Sequence, residues 1–193
     1  MKRPITGVSA AERIRISARE LFYSNGIRSV GVEEIVQNAG VTKPSLYRAY
    51  ESKDGLAAVY LDEFYRTCRT RFEDAEAACP DDPRGQLLTY FDGLAERASH
   101  PAYRGCGLTN AIVEFPDRNH PVRREAARLK QAMADWIASR VALLNAPDHE
   151  ALAAGLVLLM EGVFVAGQAF APPGPGARAG VVARLLLRDA STL

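Results

Sequence analysis

The sequence predicts an all-α protein, and three observations predict it. Apolar residues recur at spacings of three and four along most of the chain. Residues that start and stop helices punctuate those runs. No segment alternates apolar and polar residues as a half-buried strand does. The resulting plan has about nine helices. Three short ones form an N-terminal helix-turn-helix unit, and a long helix joins that unit to a larger C-terminal helical body.

Each element has a local reason. Ser9-Ala-Ala-Glu12 reads as a capping box, in which the serine oxygen accepts from a first-turn amide and Glu12 reaches back to the cap amide. Ile14, Ala18, Leu21 and Phe22 form the stripe behind it, and Asn25-Gly26 stops the helix. A second helix is expected over Val32–Ala39, then a Gly40-Val41-Thr42 turn. Thr42 is placed to cap a third helix, Lys43–Ala49, with Pro44 in the first turn where a missing amide hydrogen costs little. Ser52 caps the long helix, Lys53–Ala78, whose inner face is Leu56, Tyr60, Phe64, Cys68, Phe72 and Ala75. At 1.5 Å per residue it spans roughly 39 Å. Pro80-Asp-Asp-Pro83 breaks it. Five further helices are expected over Arg84–Ser99, Gly107–Glu114, Pro121–Asn145, Asp148–Phe170 and Ala177–Arg188, separated by Pro- and Gly-rich joints.

Composition narrows the class. The chain has 193 residues, 48% hydrophobic and 24% charged, too apolar for a disordered tail and too irregular for a fibre. Cys68, Cys79 and Cys106 are odd in number with no CxxC spacing, so neither a disulfide framework nor a zinc site is expected, and a reducing cytoplasm fits. The basic Met1-Lys2-Arg3-Pro4 is not followed by an apolar run, so no signal peptide is expected. The longest apolar stretch, Ala151 to Ala171, is interrupted by Glu161 and Gln168 and is a poor membrane candidate. No HExxH, GxSxG, GxGxxG or P-loop occurs, the three histidines are far apart, and no cofactor or metal is expected. Cys106 between two glycines has no histidine partner at a recognisable spacing and reads as a structural thiol, with redox sensing as the alternative.

The net charge of +1 speaks against a nucleic-acid partner until its distribution is read. Residues 1–53 carry nine Lys and Arg against five Asp and Glu, a net +4, and the remainder carries −3. A basic head on an acidic body suits two jobs. Within the head, Glu33–Tyr50 has the helix-turn-helix plan: Ala39 is small where helices cross, and Ile35, Val36, Val41 and Leu46 seat the motif. Its second helix presents Lys43, Ser45, Tyr47 and Arg48, all able to bond phosphates or base edges in a major groove. Lys53 lies at a positive helix end that also suits phosphate. Two short helices around a glycine also occur in all-α proteins that never touch DNA.

The run Ala18-Arg-Glu-Leu-Phe22, Asn25-Gly26, Glu34-Ile35, Ala39-Gly40-Val41-Thr42-Lys43-Pro44-Ser45-Leu46-Tyr47, Tyr50 and Ser52-Lys53 resembles the N-terminal domain of the tetracycline-repressor (TetR) family, over about the first 60 residues. The piece Arg104-Gly-Cys-Gly-Leu-Thr-Asn110, with Glu114 and His120-Pro121-Val-Arg123, resembles a pattern in some members' C-terminal domains. The resemblance implies a one-component bacterial regulator, usually a repressor. It would bind a palindromic double-stranded operator as a homodimer and be released by a small molecule. It places Thr42, Lys43, Pro44, Ser45, Tyr47, Arg48 and Lys53 at DNA-touching positions. Two positions depart from the family. Gly31 replaces a capping Ser or Thr, and Arg15 replaces an apolar residue. Ala49 offers nothing polar, so base reading rests on Lys43, Ser45 and Arg48.

The expected modules are residues 1–53 for DNA and 54–193 for ligand binding and dimerisation. The helix Asp148–Phe170 is apolar on nearly all sides and should be buried on nearly all sides. Its small residues Ala153, Ala154, Gly155, Gly162, Ala166 and Gly167 suit a close helix neighbour. With the helix near 177–188 it fits a four-helix seam across a two-fold axis, or the core of a monomer. A ligand cavity would draw on Phe91, Leu94, Cys106, Asn110, Met133, Trp136, Met160 and Phe164, with Glu114 or Glu161 as a charge. Asn110 ranks first, as a polar group in an apolar stripe. The alternative is a ligand-independent dimeric DNA-binding protein, whose body would be closed near Asn110 and Trp136.

Overall fold

A computed structural model describes residues 7–188 and 190–192, so Lys2 and Arg3 of the basic head lie outside the described residues. Nine α-helices follow in order among the described residues: α1 Ala10–Asn25, α2 Val32–Ala39, α3 Lys43–Tyr50, α4 Lys53–Ala78, α5 Pro83–Ala98, α6 Gly107–Glu114, α7 Pro121–Val141, α8 His149–Ala169 and α9 Ala179–Leu186. A 3-10 turn, Pro175–Arg178, precedes α9. The all-α expectation holds, and α2, α4 and α6 have the expected ends.

The head is α1 packed on α2, α3 and the start of α4. Ile14, Ala18, Phe22, Ile35, Val36, Leu46 and Leu56 are buried between them. Two polar ties fix the angles. Buried Ser17 donates to the Ile35 carbonyl (3.1 Å) and accepts from Asn38 (3.0 Å), joining α1 to α2. The Tyr50 hydroxyl donates to the Ala11 carbonyl (2.8 Å), joining the end of α3 to α1. The α2–α3 turn needs Gly40, which sits at φ 62° and ψ 43° in the left-handed region that a Cβ disfavours.

The body is built on α4, which packs against α5, α6 and α7 beyond the head. Helices α5, α7, α8 and α9 close the far end. Phe72 stacks on Trp136 at 4.3 Å between centroids and meets Tyr90 at 5.0 Å, fixing α4 against α7 and α5.

Several local expectations are corrected. Ser9 accepts from the Glu12 amide, but the Glu12 carboxylate turns to Arg15 (2.7 Å to Nε), whose guanidinium is the stronger, charged donor. Arg15 also pairs with Glu63 of α4, so the departure from an apolar residue is a bridge between helices. Thr42 caps α3 by position only, because its hydroxyl lies 3.1 Å from that of Ser45. Gly31 starts α2 without a side-chain bond, as its lack of a hydroxyl requires. Helix α7 stops at Val141 rather than Asn145, since Leu144–Asn145 instead pairs antiparallel with Ser191–Thr192. Helix α9 starts at Ala179, after the tighter turn that Pro175 begins.

The largest correction concerns α8. It is long and apolar enough to cross a membrane, yet the single chain buries only Leu156, Met160, Val163 and Phe164 of it. Ala151, Ala154, Leu158, Gly162, Val165 and Ala169 form an exposed stripe at spacings of three and four, without one charge. Leu158 is 71% exposed. Val181, Val182, Leu185 and Leu186 of α9 are exposed as well. Gly155 of α8 faces Leu186, so the two apolar faces adjoin.

Candidate functional site

Helix α3 turns Leu46 and Tyr50 into the head and leaves the other faces outward. Thr42, Lys43, Pro44, Tyr47 and Arg48 are exposed together, and Ser45 is half-buried beside them. The Tyr50–Ala11 bond and buried Leu46 anchor α3 to α1, so a helix entering a groove would bring a lysine, a hydroxyl, a phenol and a guanidinium together. Lys43 is ion-paired with Glu33 of α2 at 2.6 Å. The hydrogen bond and charge of Glu33 raise the Lys43 pKa, and Lys43 lowers that of Glu33. A phosphate would have to take the place of that carboxylate. Lys53 stands apart from the α3 face: it is half-buried, and its ammonium donates to the Arg28 carbonyl (3.3 Å). Burial lowers its pKa.

The head is held to the body at its back. Glu114, at the end of α6, accepts from the Arg28 amide (2.8 Å), and its carbonyl accepts from the Arg28 guanidinium (3.0 Å). The loop approaches closely because residue 26 is glycine. It lies at φ 89°, and a Cβ there would fall 2.7 Å from the Glu114 carboxylate. At the other end of α6, the Tyr23 hydroxyl of α1 accepts from the Arg104 amide (3.0 Å). The loop that leads into α6 and the last residue of α6 therefore both touch the head.

Beside that junction is a cavity of about 990 Å³. Tyr60, Phe64, Cys68 and Arg71 of α4 form one wall, and Tyr90, Leu94 and Arg97 of α5 another. Phe164 of α8 closes the back, Tyr103 and Gly105 lie on the turn before α6, and Arg19, Glu20, Tyr23 and Ser24 bring α1 of the head to the mouth. Tyr60, Cys68, Tyr90, Leu94 and Phe164 are buried. Burial pushes the Cys68 thiol up to about 12, so it is protonated at neutral pH. The volume is that of a small-molecule site.

Of the ligand-binding residues expected from sequence, Phe164 and Leu94 line this cavity. Phe91 and Met133 are buried core. Met160 accepts from the Tyr90 hydroxyl (3.2 Å), behind the cavity wall. Trp136 stacks on Phe72 and donates to Glu76 (2.8 Å). Cys106 lies 3.6 Å from the Lys130 ammonium, which pairs with Glu161 (2.5 Å). Asn110 is a brace: it donates to the Arg104 carbonyl (2.8 Å) and accepts from Gln168 (3.3 Å). Its polarity in an apolar stripe is satisfied by a turn. Most of the lining was missed, including Tyr60, Phe64, Cys68 and Tyr90 and the polar Arg71, Arg97 and Tyr103. Arg97 continues the inner spacing 87, 90, 94 of α5, and Arg71 the spacing 64, 68 of α4. A cation recurring on an apolar stripe was the available signal.

Known proteins share this architecture. The sequence model for bacterial regulatory proteins of the tetR family matches residues 14–59. The crystal structure of a TetR-family transcriptional regulator from Streptomyces coelicolor superposes with a TM-score of 0.84 at 31% identity, covering 93% of this chain and 95% of that one. Among curated relatives, the HTH-type transcriptional regulator EthR of Mycolicibacterium smegmatis is 24% identical over 83% of this chain and 76% of its own length. The HTH-type transcriptional repressor BdcR of Escherichia coli is 29% identical over 68% of this chain and 67% of its own length.

Proposed function

The chain belongs to the TetR family of bacterial regulatory proteins, DNA-binding transcriptional regulators rather than enzymes, and from that premise we propose that it is a cytoplasmic repressor that binds a palindromic operator as a homodimer and releases it when a small molecule fills the cavity. The DNA-reading module is residues 1–53 and the regulatory body 54–193. Thr42, Lys43, Pro44, Ser45, Tyr47 and Arg48 form the reading surface. Lys53 acts at one remove, by holding the Arg28 carbonyl and with it the loop that Glu114 grips.

The observation that carries the ligand response is the place of the cavity. Its walls belong to α4 and α5 of the body, but its mouth includes α1 of the head. A molecule seated there pushes on α1 directly and on α6 through the Tyr23–Arg104 contact. Either movement changes the head's angle, and two half-sites about 34–36 Å apart admit only one separation of the reading helices. The ligand acts to the extent that it prefers the displaced state. The open cavity supports this reading over a ligand-independent dimer, whose body would be closed.

Homodimerisation rests on the uncharged stripe of α8 and the adjoining face of α9. A contiguous exposed apolar face of this kind marks an interaction surface, and a two-fold seam would cover it with its own copy. That cover also accounts for the hydropathy of α8 without a membrane.

Footprinting of the purified protein on the DNA upstream of its own gene tests the reading. The expected result is protection of two symmetric half-sites that weakens steeply with salt. Absence of salt-dependent binding to any duplex overturns it.

A further inference from the structure

The polarity of the cavity indicates what it takes, an inference that rests on the reading of this cavity as the effector site. Its depth is aromatic and aliphatic, with Tyr60, Leu94 and Phe164 buried. Two arginines from facing helices, Arg71 and Arg97, line the cavity as well. Neither is ion-paired among the described residues. The Arg97 Nε and the Tyr103 hydroxyl are both buried without a hydrogen-bond partner among the described residues. The lining carboxylates, Glu20 and Glu96, are exposed at the mouth rather than placed in the depth.

Burial and the like charge of Arg71 lower the Arg97 pKa. A guanidinium still remains protonated, so the charge is held against desolvation and repulsion. The Tyr90 ring, 6.0 Å from the Arg97 Cζ, offsets only part of that. A neutral ligand would leave Arg71 and Arg97 in a drier cavity without an ion-paired carboxylate. An inorganic anion would leave the aromatic walls facing water.

We propose that this cavity binds an organic carboxylate with an aromatic body. Its charged end lies on Arg71 and Arg97, with Tyr103 as a further donor, and its ring lies among Tyr60, Phe64 and Phe164. The guanidiniums supply charge-assisted hydrogen bonds, which are about twice as strong as neutral ones.

The test is titration calorimetry of the full chain at neutral pH with 4-phenylbutyrate, naphthalene-2-acetate and indole-3-butyrate, each paired with the primary alcohol of the same carbon number. At least one acid is expected to bind about tenfold or more tightly than its alcohol. Arg97→Met and Arg71→Gln should each cut that preference sharply, chiefly by weakening the acid. Two variants on different helices guard against one failing to fold, and the thermal midpoint checks both. Equal affinity of acid and alcohol, no binding by any acid, or an acid preference that survives both substitutions overturns the proposal. A gel shift on the footprinted DNA separates it from the wider reading. A neutral compound that releases DNA leaves the ligand response standing without the anion. An acid that binds by the predicted arginines and releases nothing leaves the anion site standing without the response.

Discussion

Replacing Leu158 by glutamate should break the proposed dimer. The side chain is 71% exposed in the single chain, at the centre of an uncharged stripe that also holds Ala154, Gly162 and Val165. Full burial of a leucine is worth about 1.5–3 kcal/mol, so covering the exposed part yields about 1–2 kcal/mol. A two-fold seam uses the position twice, which makes the loss about 2–4 kcal/mol before the cost of desolvating carboxylates. At 1.4 kcal/mol per tenfold, the dimer dissociation constant should rise about thirty- to seven-hundredfold. Sedimentation equilibrium over a wide concentration range measures it. Circular dichroism should be unchanged, because an exposed side chain contributes little to the single chain's own packing. An L158E protein that dimerises as tightly as the parent would show that α8 is not the seam.

Four other outcomes follow from the same contacts. Arg48→Ala or Lys43→Ala should weaken operator binding and relax base preference with the dimer intact, by about 1–3 kcal/mol where a base contact is lost, in fluorescence anisotropy on the footprinted site; parental affinity in either variant would refute the reading surface. Gly40→Ala should cost about 1 kcal/mol in urea unfolding, the penalty for a Cβ at φ 62°; an unchanged midpoint would count against the turn argument. Glu114→Ala should speed hydrogen exchange at the Arg28 amide about tenfold or more, because a charged acceptor is removed; no change would mean that α6 does not grip the head. Stability should fall between about pH 9 and 12: the unfolded Cys68 thiol ionises near its ordinary 9.0, while the folded one holds its proton to about 12. Over that window the unfolded state binds fewer protons, so the slope of stability with pH is negative. Cys68→Ser should flatten that slope in pH-dependent urea melts, and an unchanged slope would count against it.

The head was largely legible because its signals are local. Gly40, Pro44, Ser52 and the apolar spacing of α1 each act within a turn or two of chain. The cavity was much less so. Asn110 drew attention as an isolated polar residue, but its partners, Arg104 and Gln168, are six and fifty-eight residues away, and the second distance is invisible to periodicity. Trp136 and Met133 have the composition of a binding site and the position of a core. Arg71 and Arg97 each interrupt an apolar stripe, but that they line one cavity shows only when α4 and α5 are laid side by side. The exposed face of α8 inverts the sequence argument for burial, since an apolar surround does not say which chain provides the cover.

The exposed α3 face and the cavity have no residue in common, although α1 and α4 pack against α3 and also line the cavity. On the proposed reading, substitutions on the α5 wall, at Leu94 or Arg97, change which molecule is sensed without altering which DNA is read, and changes at Tyr47 or Arg48 do the reverse. Such a layout lets the two specificities drift independently in descendants, with the α1–α6 contacts as the one part that must be inherited together.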